Sequence, residues 1–294
     1  MDAHESIARR AEMLRIKAMA LANDMKFGSF RSLYRGQGIE FSGVREYLPG
    51  DDVRTIDWNV TARMGKPFIK QFQEDRELVV FIVLDCSRSI ETAQLPAVCE
   101  TASLAVLAGN FGGSPVGAII FSGGHLFSCA PRIGMRHAMT LLSRFDALTR
   151  RAKSGARQGG LRGTALSQAL SGAAKLLKRR ALIFVLSDFR VALWEHPFGI
   201  LASKNDVIAV RITSRLDELP FTARLNFTDP ETGLTQSLPA GNARFRREWQ
   251  SDRETRSARW FEAVASRGGY PLVMDEREDP FIALSNFFAS RREL

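Results

Sequence analysis

The chain has 294 residues, of which 45% are hydrophobic and 25% are charged, a composition typical of soluble globular proteins. This length is enough for a full core and allows one large domain or two smaller ones. No apolar run approaches the ~20 residues that span a bilayer, and residues 1–5 lack the layout of a secretory signal. The three cysteines have no metal-binding spacing, so we expect reduced thiols and a cytoplasmic protein.

The net charge of +9 is concentrated in one part of the chain. Between Arg132 and Arg180 the sequence contains twelve Lys or Arg residues and a single acid, Asp146. A positive field of this kind favours an acidic partner, nucleic acid or an anionic surface, and a solvated face with scattered arginines is the alternative. Because no basic run with interleaved aromatic residues occurs there, we do not expect a nucleic-acid partner.

The N-terminal part predicts a helix followed by a small β-rich module. Residues 3–25 place apolar side chains at spacings of three and four, which predicts a helix packed on its own domain. Residues 48–52 predict a tight turn, and residues 53–58 and 68–72 have the pattern of strands. We expect residues 1–76 to form this helix and module. The mixed acids and arginines of the module predict structural ion pairs, with a catalytic carboxylate pair as the alternative.

From residue 77 onward, strand and helix patterns alternate. Apolar runs predict strands at residues 78–84, 116–121, 126–130, 181–186, 206–211 and 270–274. Helical spacing of apolar residues predicts helices at residues 95–111, 135–148, 165–177, 194–202, 245–264 and 280–288. Residues 224–238 predict a hairpin. This alternation predicts an α/β domain over residues 77–294, with a doubly wound, mostly parallel sheet and helices on both faces.

The first buried strand of this domain runs directly into Asp85, Ser87 and Ser89. Ligands of open α/β sheets bind just beyond the carboxyl ends of the strands. One acid and two hydroxyls are oxygen donors that suit a hard cation such as Mg²⁺. From this stretch alone, capping of the next helix by Asp85 and Ser87 is an equal alternative.

Two later segments carry matching oxygen donors. Thr164 follows a glycine and precedes a helix, and Asp188 follows a serine at the end of a buried strand. Together these elements resemble the metal-ion-dependent adhesion site of von Willebrand factor A-type domains, in the family's order. The resemblance implies a site for Mg²⁺ or Mn²⁺ formed by Asp85, Ser87, Ser89, Thr164 and Asp188. It implies direct binding by the three hydroxyls, with the two carboxylates holding metal-bound waters or lying in the second shell.

The module upstream resembles the signature of the domain-of-unknown-function 58 family of bacterial proteins. The segments that carry this resemblance are residues 38–41, 45–47, 49–54, 56–58, 62–63 and 71–74. The family places such a module directly before an A-type domain, and the resemblance extends from about residue 28 to the C-terminus. One departure is Ile90, where the family pattern has Met. Because Ile90 is not a ligand position, this departure does not affect the predicted site.

The resemblance implies a non-enzymatic protein–protein interaction module. In the adhesion-site family, a Glu or Asp of a partner completes the metal coordination. Members of the module family resemble accessory proteins of MoxR-type AAA+ ATPases, which assemble or remodel other complexes, so we expect such an ATPase as partner. Three arginines near the predicted site, Arg88, Arg157 and Arg162, are candidates for binding the acidic partner.

The best enzymatic alternative is a Mg²⁺-dependent phosphatase of haloacid dehalogenase type with Asp85 as nucleophile. Such enzymes need a second Asp as general acid, and Ser87 occupies that position but cannot transfer protons in this way near neutral pH. The sequence also lacks H-E-x-x-H, G-x-S-x-G and nucleotide-binding P-loop motifs. We therefore expect a protein that is not an enzyme. A peripheral membrane protein held by the basic block is a third alternative.

Overall fold

The computed structural model describes residues 14–25, 39–74, 78–87, 90, 94–122, 125–153, 165–213, 225–228, 235–238 and 241–291. The chain divides into two compact units: Arg31–Glu77, and Met1–Phe30 together with Leu78–Leu294. Helix α1, residues 14–25, belongs to the larger unit and confirms the second half of the predicted N-terminal helix. Within the described ranges, every helix is too short or too polar to cross a lipid bilayer.

The smaller unit contains a two-stranded antiparallel sheet and two short helical segments. Strands β1 (Ile39–Glu46) and β2 (Phe68–Glu74) pair with each other, and a 3-10 turn (Val53–Thr55) and helix α2 (Trp58–Met64) lie between them in the chain. The predicted strand at residues 53–58 is therefore wrong. Asp52 accepts a hydrogen bond from the Arg54 N–H, and Asp57 accepts from the Asn59 and Val60 N–H groups, so both acids cap the helical segments that follow them. These caps outweigh the alternating pattern.

The carboxylates of the smaller unit hold its turns. Asp51 accepts two hydrogen bonds from the Arg45 guanidinium, at 2.7 and 2.8 Å, and a third from the Leu48 backbone N–H. The hydrogen bonds from Arg45, followed by that from Leu48, hold the pKa of the Asp51 carboxyl below its usual value. This structural pairing between acids and arginines is what the composition of the module predicts.

The larger unit is built on a six-stranded sheet. Its strands are β3 (Val79–Asp85), β4 (Val116–Ser122), β5 (His125–Arg132), β6 (Ala181–Ser187), β7 (Asp206–Thr213) and β10 (Tyr270–Asp275). The order across the sheet is β10-β7-β6-β3-β4-β5, and only β5 runs antiparallel to its neighbour. The predicted α/β fold with a mostly parallel sheet is confirmed. Strands β8 (Leu225–Thr228) and β9 (Thr235–Leu238) form the predicted hairpin, and the hairpin tip lies outside the described residues.

Helices pack on both faces of the six-stranded sheet. They are α3 (Gln94–Phe111), α4 (Met135–Lys153), α5 (Ala165–Leu176), α6 (Glu195–Ala202), α7 (Ala243–Ala265) and α8 (Pro280–Ala289). Apolar residues of α5, α6 and α7 form one core with alternate residues of β3 and β6. On the opposite face, Phe288 of α8 contacts Phe184 of β6, and Gly109 of α3 lies against Val80 of β3. Because both faces are covered, every residue of β3 and β6 is buried.

Gly117 in β4 provides a test of the packing between β4 and β5. A Cβ atom at this position would lie 2.8 Å from both the Cys129 carbonyl oxygen and the Pro131 nitrogen. Both atoms belong to the β5 backbone, so we expect Gly117→Ala to lower the free energy of unfolding by about 1–3 kcal/mol. In Gly172→Ala, on α5, the nearest atom would be Ile119 Cδ1 at 3.5 Å, and we expect a neutral or slightly stabilising effect. Urea denaturation of both variants checks this, and similar losses in the two would contradict it.

Candidate metal centre

The candidate site lies where the direction of the sheet connections reverses. Strands β3 and β6 are neighbours, but the chain proceeds from β3 to β4 on one side and from β6 to β7 on the other. In sheets of this kind, the carboxyl ends of the two central strands form a crevice in which ligands bind. Asp85 is the last residue of β3, Ser187 is the last residue of β6, and Asp188 follows directly.

Asp85 is held by hydrogen bonds from both strand ends. Its side chain is only 1% exposed, its Oδ1 accepts from the Ser87 N–H at 2.8 Å, and its Oδ2 accepts from the Ser187 hydroxyl at 2.7 Å. The Ser187 hydroxyl also accepts a hydrogen bond from the Phe189 N–H at 3.1 Å. These contacts join residues 102 positions apart in the sequence and fix the orientation of the Asp85 carboxyl.

One carboxylate oxygen of Asp188 has no hydrogen-bond donor among the residues that the structure describes. The Asp188 side chain is buried, and its Oδ1 accepts from the Arg190 N–H at 3.1 Å. Its Oδ2 is also buried, and no donor among the described residues reaches it. A buried polar atom left unsatisfied costs about 1–3 kcal/mol, and more when it is charged. A cation or a metal-bound water at this oxygen would remove that cost.

The backbone after Asp188 adopts a left-handed conformation. Phe189 has φ of 53°, which is uncommon for a residue other than glycine. Its ring lies 5.0 Å from the Trp194 ring and 5.5 Å from the Trp260 ring, and Trp194 packs edge-on against Phe198. This aromatic cluster offsets the backbone strain, of about 1–3 kcal/mol, and fixes the turn that carries Asp188.

The two carboxyl groups are electrostatically linked. Burial, together with the nearby charge of Asp188, raises the pKa of Asp85 to about 7, although hydrogen bonds from Ser87 and Ser187 oppose the shift. A bound cation would favour ionisation of Asp85. In the described part of the chain, no three His, Cys, Asp or Glu side chains cluster as a metal site. The carboxylates and hydroxyls at this strand end fit a hard cation such as Mg²⁺, which prefers oxygen donors.

Three of the five predicted metal-binding residues are described, and they lie together. Asp85, Ser87 and Asp188 are all buried at the carboxyl ends of β3 and β6. The other two predicted ligands and the three predicted partner-binding arginines lie outside the described residues: Ser89, Thr164, Arg88, Arg157 and Arg162. Metal binding by the five residues stays a prediction.

The described residues do not test the helix-capping alternative for Asp85 and Ser87. Helix α3 is described from Gln94, and residues 88–89 and 91–93 lie outside the described residues. The Asp85 carboxylate accepts a hydrogen bond from the Ser87 N–H. Ile90 is buried, and its N–H donates to the Ser87 carbonyl.

Ser187 is a site residue that the sequence prediction left out. Its hydroxyl bonds to Asp85 and receives the Phe189 N–H, so it connects the acid of one strand to the turn of the other. The available signal was a hydroxyl residue ending a buried apolar run next to an acid. This signal indicates a contact with Asp85 only when β6 is known to be the neighbour of β3.

The described residues of the basic block, within residues 132–180, are divided between two ends of the sheet. Arg132 pairs with Val116, the first residue of β4, and Lys178 precedes the first residue of β6, so both lie at the amino ends of the strands. Arg144 packs over the Phe127 ring near the other end of the sheet, where β5 begins. Only part of the positive charge can therefore lie beside the candidate site.

Comparisons with known proteins identify relatives along most of the chain. The family described as "Protein of unknown function DUF58" matches residues 43–259. Proteins of Mycobacterium bovis and Mycobacterium tuberculosis, both described as uncharacterized, are 31% identical over 279 residues, covering 90% of this chain and 83% of each relative.

Solved structures give weaker similarities. An aerotolerance-related membrane protein of Bacteroides fragilis matches with a TM-score of 0.39 and 15% identity, over 74% of this chain and 98% of that chain. The pilus adhesin SpaC of Lactobacillus rhamnosus matches with a TM-score of 0.42 and 14% identity, over 75% of this chain and 30% of the adhesin. At these values the similarities carry no functional argument.

Proposed function

The chain belongs to the DUF58 family, and we propose that it is a non-enzymatic interaction module that captures an acidic side chain of a partner protein through a Mg²⁺- or Mn²⁺-dependent site. One observation carries this proposal: the buried Asp188 Oδ2 has no donor among the described residues and lies beside a second buried acid, Asp85. That arrangement suits a bound cation. The position of both acids at the reversal point of the sheet supports a ligand site there.

We infer that the larger unit is a von Willebrand factor A-type domain. In support, Asp85 ends the first strand of the main sheet, Ser87 comes two residues later, and Asp188 follows a later strand that pairs with it. These are the relative positions that the resemblance to the adhesion site implies. The mostly parallel sheet with helices on both faces is compatible with this assignment.

The residues of the proposed site have three roles: direct binding of the cation, orientation of its bound water, and positioning of Asp85. The hydroxyls of Ser87, Ser89 and Thr164 would hold the cation directly, while Asp85 and Asp188 would orient water molecules bound to it. Ser187 keeps Asp85 in position through its hydrogen bond. Because neutral hydroxyls leave the cation with much of its positive charge, it supplies electrostatic attraction for a partner carboxylate.

The phosphatase alternative lacks a supporting observation. A nucleophilic Asp needs an oxygen that can reach a substrate, but Asp85 is 1% exposed and both its oxygens accept hydrogen bonds. Ser87 cannot act as the general acid. We expect no turnover of p-nitrophenyl phosphate by the purified chain in Mg²⁺.

We propose a MoxR-type AAA+ ATPase as the cytoplasmic partner, and affinity capture tests this. The tagged full chain is used to capture proteins from its native host in Mg²⁺ or in EDTA, and captured proteins are identified by mass spectrometry. We expect the ATPase in Mg²⁺ only, and its loss with Asp188→Asn. Asp252→Asn, which removes an exposed acid of α7, is the control and should retain it. Capture that persists in EDTA or with Asp188→Asn would overturn metal-bridged binding.

A further inference from the structure

A surface groove of about 650 Å³ lies between helices α5, α6 and α7. It is lined by Ser167, Leu193, Glu195, His196, Arg259 and Arg267, together with two small apolar residues. Its volume is within the range of ligand-binding sites, and its lining combines apolar and charged side chains. Such a groove is suited to a short peptide segment.

The charge of the groove is predominantly positive. Arg259, Arg267 and His196 are exposed, and Glu195 is the single acid in the lining. No ion pair in the described part of the chain neutralises Arg259 or Arg267, and Arg267 donates to the Ala263 carbonyl instead. Elsewhere on α7, Arg244 and Arg256 pair with acids four residues away, Glu248 and Asp252. Among the described residues, Arg259 and Arg267 therefore differ from Arg244 and Arg256, whose charges are paired with acids.

The groove adjoins the candidate metal centre along the chain. Ser167 lies in the first turn of α5, three residues after Thr164, and Leu193 lies in the loop five residues after Asp188. Leu193 is 71% exposed and has φ of 66°, so a left-handed backbone holds an apolar side chain in solvent at the rim of the groove. An exposed apolar residue in a strained conformation is typical of a contact surface.

We propose that this groove binds the segment of the partner next to its metal-bound carboxylate, and that this segment carries a second acidic residue. The inference rests on the proposed function and adds the chemistry of the partner: one acid for the cation, an apolar residue against Leu193, and another acid for Arg259 and Arg267. Arg259 lies in the last two turns of α7, and Arg267 follows two residues after the helix ends at Ala265, so the two arginines are on the order of 12 Å apart. An extended peptide covers that distance in about four residues.

Synthetic peptides test this. The probes are fluorescein-labelled dodecapeptides of Ser, Gly and one Leu that contain either one Glu or two Glu residues at separations of three to eight. Binding to the full chain in Mg²⁺ is measured by fluorescence polarisation. We expect the best two-Glu peptide to bind about 3- to 10-fold more tightly than the one-Glu peptide. Arg259→Glu should remove this gain, so that the one-Glu and two-Glu peptides bind with similar affinity.

A charge exchange makes the test specific. When the second Glu of the peptide is replaced by Lys, binding to the wild type should weaken and binding to Arg259→Glu should recover. Arg247→Glu is the matched control, because it makes the same charge change on α7 three turns away. Equal effects of Arg259→Glu and Arg247→Glu, or no recovery with the Lys peptide, would overturn the groove proposal.

The two proposals fail in different ways. If EDTA and Asp188→Asn abolish binding of both peptides while Arg259→Glu has no selective effect, the groove proposal is wrong and the metal-dependent function stands. If EDTA has no effect while the charge exchange works, the groove stands and the metal-dependent function is wrong. If none of the peptides binds at millimolar concentration, both are overturned.

Discussion

Asp85→Asn is expected to stabilise the metal-free protein at pH 8 by up to about 4 kcal/mol and to abolish its response to Mg²⁺. The reason is that burial and the charge of Asp188 raise the pKa of Asp85 to about 7 in the folded protein, from 3.8 in the unfolded chain. A carboxyl with a raised pKa is stable in the fold as the neutral acid. The contribution of the Asp85 carboxyl to the free energy of unfolding is complete below about pH 4 and is lost as the pH rises through about 7. Asn stays neutral throughout this range.

Urea denaturation at pH 5 and pH 8, in EDTA and in Mg²⁺, measures this effect. In EDTA, the wild type should lose more stability between the two pH values than Asp85→Asn does. Adding Mg²⁺ at pH 8 should restore stability in the wild type alone, since ligand binding to the native state stabilises it. Because other titrating groups are common to both proteins, the comparison isolates Asp85. The same pH dependence in both proteins would exclude a raised pKa at this residue.

Asp188→Ala is expected to weaken Mg²⁺ or Mn²⁺ binding by about 10- to 100-fold, the usual effect of losing a residue that supports a metal. The substitution removes the buried oxygen that has no donor among the described residues, and with it the charge facing Asp85. Isothermal titration with Mn²⁺ measures the affinity.

Ser187→Ala serves as the comparison for Asp188→Ala. It removes the hydrogen bond to Asp85 Oδ2 but no predicted metal ligand, so its effect on Mn²⁺ affinity should be smaller. Unchanged affinity in Asp188→Ala, or a larger loss in Ser187→Ala, would contradict the proposed roles. Circular dichroism of both variants establishes that any loss of affinity is not caused by unfolding.

The strands and helices of the larger unit were predictable because the spacing of apolar residues within each segment indicates its type. Strands β3 and β6 are covered on both faces, so their sequences must be apolar at every position, and this produces a continuous run. The prediction at residues 53–58 failed for an equally local reason. There the alternating apolar residues are overridden by the capping side chains of Asp52 and Asp57, which favour helical turns.

The order of the oxygen donors along the chain could also be read from the sequence. Their hydrogen-bond partners and the charges around them could not. Asp85, Ser87 and Asp188 were predicted from residue type and position. Ser187 was missed, because its role depends on the pairing of β6 with β3. The division of the basic block between two ends of the sheet likewise depends on the direction in which each strand runs.

The sequence by itself determined which segments of this protein are strands and helices in the main unit, and which side chains could supply oxygen donors. Both are properties of short stretches of chain. Only the tertiary structure decided that β3 and β6 are neighbours, that helices on both faces exclude water from their ends, and that Asp188 Oδ2 has no donor among the described residues. The physical reason is that burial, and the pKa shift of Asp85 that it causes, arise from contacts between segments about a hundred residues apart.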